Sequence, residues 1–173
     1  MNNSLSPLAG NGNYSAGNVQ PVPAGAAVEL VNLNEIVQNN LIARRHKIED
    51  LQAIIRYDVL PLVNGDALRF SKMFTLILNS ILDHPPAGTK LFIYIKCEKD
   101  KSEILDLSLP EDFQHFAVSV YTNITTDASW QQLQQQHVED INSMVQAVNG
   151  SFSHHSIVNT GCLYQMKLPG KLQ

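Results

Sequence analysis

Cysteine is scarce in this 173-residue chain: Cys97 and Cys162 are the only two, and they form no Cys-x-x-Cys pair. That excludes a disulfide framework or a thiolate zinc site and fits a reducing, cytoplasmic setting, although a single 97–162 pairing stays open. Long apolar runs are also missing, none approaching the ~18 residues needed to cross a bilayer. The N-terminus carries no basic start followed by an apolar stretch, so no secretion signal is read. Basic excess is absent too. The formal net charge is -4, which argues against generic nucleic-acid or anionic-membrane binding, since both need a positive surface. What remains is an ordinary globular balance, with 44% hydrophobic and 16% charged residues.

Residues 1–28 differ from the rest. They are rich in Asn, Gly, Ser, Pro and Ala, with only isolated apolar positions. Such a segment cannot bury enough surface to offset its ordering entropy, so it is expected to be a flexible tail or linker. Residues 29–173 are expected to form one domain.

Within that domain, Asn32 followed by Glu35 reads as a capping box. The stripe Leu33, Ile36, Val37 and Leu41 predicts a helix ending near Lys47. Gln52–Tyr57 predicts a strand. Asp66 caps a second helix running to Asp83, with Phe70, Met73, Phe74, Ile77 and Ile81 at helical spacing and Pro85-Pro86 as its stop. Leu91–Glu98, Ile104–Leu109 and Phe116–Tyr121 predict three strands. A third helix, capped by Asp127, spans Ala128 to Val148 and ends at Asn149-Gly150. Ser151–Val158 and Cys162–Leu168 predict a closing hairpin around the turn Asn159-Thr160-Gly161. The order implies a two-layer α/β sandwich, one mixed sheet covered on one face by three helices.

Several residues invite sharper readings. His46 lacks the acidic neighbour of a phosphoacceptor and reads as a surface helix-end cation. His154 and His155 are adjacent on a strand and point to opposite faces, so they cannot clasp one metal. His137 falls on the apolar face of the third helix and reads as a partly buried structural residue. The glutamines at 131–132 and 134–136 read as a solvated face, with a contact surface as the alternative. Cys97 reads as a small core residue. Glu111 and Asp112 have no supporting acid/base constellation.

The segments Val31-Asn32-Leu33-Asn34-Glu35-Ile36-Val37, Leu60-Pro61-Leu62-Val63-Asn64-Gly65-Asp66, Arg69–Ile81 with its Pro-Pro-Ala-Gly exit, Val145–Phe152 and Asn159–Pro169 occur in a telling order. Together they resemble the catalytic ATP-binding domain of bacterial sensor histidine kinases, over residues 29–169. The resemblance implies the Bergerat-type sandwich shared with gyrase- and Hsp90-type ATPases. It also implies three ATP-holding devices: an N-box Asn for magnesium, an Asp in a first glycine box for adenine, and a second glycine box for the phosphates.

The sequence departs from each device. Ungapped alignment of the second helix puts Ser80 at the magnesium position with Asn79 one place earlier, a rotation of ~100° about the helix. A one-residue deletion would restore Asn79, and Asn79–Gly88 (NSILDHPPAG) fits that register; the ungapped one preserves the apolar stripe. Thr122 stands where the adenine Asp belongs, no glycine follows it, and Gln135-Gln136-His137-Val138 replaces the second box. Asn79, Ser80, Asp83 and Thr122 are thus the candidate residues of a vestigial nucleotide pocket.

The resemblance, with these losses, implies a non-catalytic module that needs no cofactor. It would bind a response regulator or another histidine kinase, with homodimerisation open. Two alternatives accompany it. One is an active kinase domain using ATP and magnesium; the other is an anti-sigma-like or phosphotransferase-like binding domain.

Overall fold

The computed structural model describes residues 29–101, 112–124, 128–157 and 161–172, with backbone alone for 128–134 and 157. The tail at 1–28, the strand Ile104–Leu109, Glu111, the cap Asp127 and the turn residues Asn159 and Thr160 lie outside the described residues.

The described elements are β1 (Leu30–Asn32), α1 (Leu33–Ala43), α2 (Arg45–Asp50), β2 (Ile54–Tyr57), β3 (Leu62–Asn64), α3 (Ala67–Leu82), β4 (Phe92–Lys99), β5 (Gln114–Thr122), α4 (Ala128–Gln146), β6 (Ser151–Ile157) and β7 (Gly161–Lys171). The sheet runs β1-β3-β7-β5-β4-β2, and β6 shares with β3 the same edge of the long strand β7. It is mixed: β2 is parallel to β4, and the other pairs are antiparallel. The expected two-layer α/β sandwich is therefore present.

The first expected helix is two helices. Arg44 sits at φ -112°, ψ 11°, outside helical values, and separates α1 from α2. Its side chain is drawn sideways into α3 and back onto α1, which the local sequence pattern does not reveal. His46 is consequently in the first turn of α2 rather than near the C-terminal end of the first helix, and it is exposed. Asn32 does cap α1, accepting from the Asn34 amide at 3.0 Å, and its Nδ2 donates to Glu35 at 3.1 Å. Asp66 caps α3 by accepting from the Leu68 amide at 2.8 Å, a contact of the kind that contributes ~1 kcal/mol.

The α3 stripe settles against the sheet. Phe70, Met73, Phe74, Ile77, Leu78, Ile81 and Leu82 are buried with inward-facing Ile93, Ile95, Val118, Val120, Tyr164, Met166 and Leu168. Alternate residues of β4, β5 and β7 point the other way, onto a face that no described helix covers. At the exit of α4, Asn149 takes φ 58°, a left-handed turn that Asn tolerates. Gly150 follows because a Cβ there would lie 2.5 Å from the Lys167 carbonyl oxygen. Among the described residues, no helix is long and apolar enough to cross a membrane.

Candidate functional site

The four candidate residues are not brought around one cavity. Asn79, exposed near the end of α3, turns toward α1 and accepts from the Arg44 Nε–H at 2.7 Å. Asp83, the C-cap of α3, is exposed and takes the Lys47 ammonium of α2. Both belong to a polar seam that runs the length of the α1–α3 contact.

Buried Asn40 centres that seam. Its Oδ1 accepts from Thr75 Oγ1 at 2.8 Å and Arg44 Nη1 at 3.1 Å, and its Nδ2 donates to the Ile36 carbonyl at 3.0 Å and Ser71 Oγ at 3.3 Å. Every hydrogen-bonding site of the amide is used, as burial demands. Partial burial pushes the Arg44 guanidinium down from its ordinary value, and the Asp83 charge opposes this.

Ser80 points the other way, inward, and is 3% exposed. Its hydroxyl donates to the Leu76 carbonyl at 2.8 Å. It also meets His137 Nδ1 at 3.3 Å. Tyr164 of β7 lies beside it, fully buried. Burial pushes that phenol far above its ordinary range, Cys162 adds to the rise, and its hydrogen bond with Ser80 opposes it. The space inside Ser80 is thus filled by a histidine and a tyrosine.

Thr122 ends β5 at the edge of the domain. It is 6% exposed, and its hydroxyl has no hydrogen-bond partner among the described residues. It borders a hollow of about 220 Å³ shared with Phe92, Tyr121, Asn123, Gly161, Cys162 and Leu163, none of them a charged group. Gly161 makes the wall: φ is 144°, and a Cβ there would fall 1.9 Å from the Thr122 carbonyl oxygen. Residues 123–127 are all that separates β5 from α4, and Gln135–Val138 lie inside an unbroken helix.

No family model and no curated protein matches the chain. Solved structures do. The mycobacterial sensor histidine kinase MprB superposes with TM-score 0.62 at 12% identity, over 84% of this chain and 100% of that one. Acinetobacter baumannii histidine kinase AdeS gives 0.59 at 12%, over 81% and 66%. Histidine kinase ThkA, in a complex with response regulator protein TrrA, gives 0.56 at 14%, over 83% and 42%. The fold is that of a histidine kinase catalytic domain. This chain spans the whole of the MprB structure but only part of the longer AdeS and ThkA chains.

Within that histidine-kinase-like fold, two residues that shape the site, Asn123 and Tyr164, are not announced by the sequence, whereas His137 is the partly buried structural residue expected of it. Asn123 clips the segment after β5 to the start of β4, its Oδ1 accepting from the Phe92 amide at 2.8 Å and its Nδ2 donating to the Lys90 carbonyl at 2.9 Å. A single Asn gives no pattern that would announce this. His137 and Tyr164 fill the space under Ser80. Tyr164 was within reach, since Cys162, Tyr164, Met166 and Leu168 alternate inward. The His154 ring packs against the Tyr164 ring, centroids 4.7 Å apart and planes tilted by 44°, and burial, then His155, lowers its pKa. Cys97 and Cys162 are free thiols, each pushed up to about 11 by burial.

Proposed function

We propose that this domain keeps the histidine kinase catalytic fold without its nucleotide chemistry, and serves two-component signalling by binding protein. One observation carries the reading: Asn79 and Asp83 are committed to α1 and α2, while Ser80 is sealed beneath His137 and Tyr164. Magnesium takes oxygen ligands in tight octahedral geometry. The donor set does not fit it, because the Asn79 carbonyl oxygen already holds a guanidinium and the Ser80 oxygen already makes its contacts in the core. Adenine recognition fits no better, because a carboxylate acceptor is replaced by the Thr122 hydroxyl beside an apolar hollow. Phosphate cradling needs glycine amides at a helix start, and the corresponding residues are mid-helix.

ThkA is seen with response regulator TrrA. A receiver-type protein or a second histidine kinase is accordingly the partner class for this domain, acting in the cytoplasm. Calorimetric titration with magnesium–ATP is the test. No saturable heat is expected, and a stoichiometric, magnesium-dependent isotherm would overturn the reading in favour of an active kinase domain.

A further inference from the structure

Pairing across the sheet sets one row of side chains on the face that no described helix covers. His155, Leu163, Tyr121, Tyr94 and Arg56 are successive partners on β6, β7, β5, β4 and β2. They therefore share a face, opposite to buried Ile93, Val120 and Tyr164. Phe92 is on the same face, two residues before Tyr94. It borders two hollows, one of about 220 Å³ with Tyr121 and Leu163 and one of about 680 Å³ with Tyr94 and Arg56. Tyr94 and Tyr121, one from each hollow, stack with ring centroids 6.3 Å apart. The Tyr94 hydroxyl donates to Asp58 Oδ1 at 2.9 Å, and Asp58 Oδ2 accepts from the Cys97 amide at 3.0 Å. Rings held in this way lose little freedom when something binds them.

Charge around the row is largely matched. Lys96 pairs with Glu98 at 2.7 Å and Lys167 with Asp100 at 2.9 Å, and Asp58 has its two donors. The donors left for an occupant are the Arg56 guanidinium, in none of the ion pairs among the described residues, and the hydroxyl of exposed Tyr121. Peptide carbonyls satisfy both.

Residues 1–28 contain no Asp, Glu, Lys, Arg or His, and Val19-Gln20-Pro21-Val22-Pro23 is their densest run of proline and branched apolar residues. Proline favours the polyproline II helix, whose carbonyls stay unbonded and which docks on aromatic grooves at low entropic cost. The register also aims this segment at the row. Strand β1 is antiparallel to β3 and β3 to β7, so β1 runs parallel to β7, with Leu30 level with Pro169. The chain before Leu30 thus heads toward Leu163. Three strand spacings across and six residues along separate Leu30 from Tyr121, about 25 Å. Pro23 and Pro21 precede Leu30 by seven and nine residues, which polyproline II extends to about 22 and 28 Å.

We propose that Val19-Gln20-Pro21-Val22-Pro23 of the same chain lies across the aromatic row as a polyproline II segment. Pro23 sits against Tyr121 and Leu163, and Pro21 against Tyr94 and Phe92. The inference goes beyond the function proposed above, and a chain that bound magnesium–ATP would keep it.

The test uses the full chain, labelled with ¹⁵N and ¹³C, in nuclear magnetic resonance. Ring protons of Pro21 and Pro23 are expected to show Overhauser contacts with the Tyr94 and Tyr121 rings, unchanged on dilution. Replacing both prolines, Pro21→Ser with Pro23→Ser, should shift the Tyr94, Tyr121 and Leu163 amides and leave that of Ile77 in place. Tyr121→Ser should shift the Gln20 and Val22 amides in return. If Tyr121→Ser fails to fold, the proline pair decides, since it alters only residues 1–28. The proposal is overturned if the proline replacements shift only residues 1–28 or if no contact to the rings is found. It is equally overturned if the contacts appear only between differently labelled copies in a mixed sample, which would make a second copy's segment the occupant.

Discussion

The two flanks of α3 solve the same packing problem with opposite chemistry. Toward α1 and α2 the helix presents Ser71, Thr75, Asn79 and Asp83, each bonded to Asn40, Arg44 or Lys47. Toward the sheet and α4 it presents a continuous apolar stripe with one polar exception, Ser80, which His137 and Tyr164 cover. To hold a metal between such flanks, a helix would need side chains aimed into the gap between them. Here neighbouring residues 79 and 80 are divided, one to each flank, by the rotation between successive helical positions. On the reading proposed above, losing nucleotide chemistry would need no collapse of the core, only the reassignment of a few polar side chains.

The largest effect is expected on the sheet side. Tyr164→Ala should cost about 3–5 kcal/mol in urea denaturation, as for other buried aromatic truncations; a loss below 1 kcal/mol would mean that the space under Ser80 is not tightly filled. On the other flank, Asn40→Ala leaves Thr75 and Arg44 without their acceptor and should cost about 1–3 kcal/mol in the same assay. If the two costs were reversed, the polar seam rather than the core would be the stronger clamp.

Ser80→Asn restores a magnesium-type ligand by residue type. Because the site is full, it should destabilise by about 1–3 kcal/mol and confer no magnesium-dependent shift in Tm. A smaller pH effect sharpens the comparison further. The pKa of His154 is lowered in the fold, mainly by burial, so the unfolded chain binds the extra proton first. Stability is fully present above its unfolded pKa of about 6.5 and falls as pH drops from there toward the lower folded value. Tm measured across that window should fall, and His154→Phe should flatten the slope. Least of all, Lys47→Met breaks only an exposed pair and should change stability by under about 1 kcal/mol.

The sequence was most legible where periodicity is long. The sixteen residues of α3 carry their apolar stripe and cap unmistakably, and the expected bounds agree with the observed ones within a residue. The three-residue strands β1 and β3 escaped, because Leu30–Asn32 and Leu62–Asn64 are too short for an alternating pattern and exist only by pairing with each other and with β7. The break at Arg44 escaped for the same reason, being set by a contact with Asn79 thirty-five residues away. Within the candidate site, the direction of Ser80 against Asn79 followed from helix geometry. The filling by His137 and Tyr164 and the clip at Asn123 depend on which elements meet, and that is a property of the tertiary fold.

The most direct test is an amide map of the ¹⁵N-labelled chain titrated with millimolar magnesium–ATP. A nucleotide seated as in a kinase would perturb Ser80, Thr122 and Gly161 together, since it would have to bridge α3 and the end of the sheet. The division of α3 into two committed flanks predicts that those three signals stay in place. A joint, saturable shift of all three would contradict it.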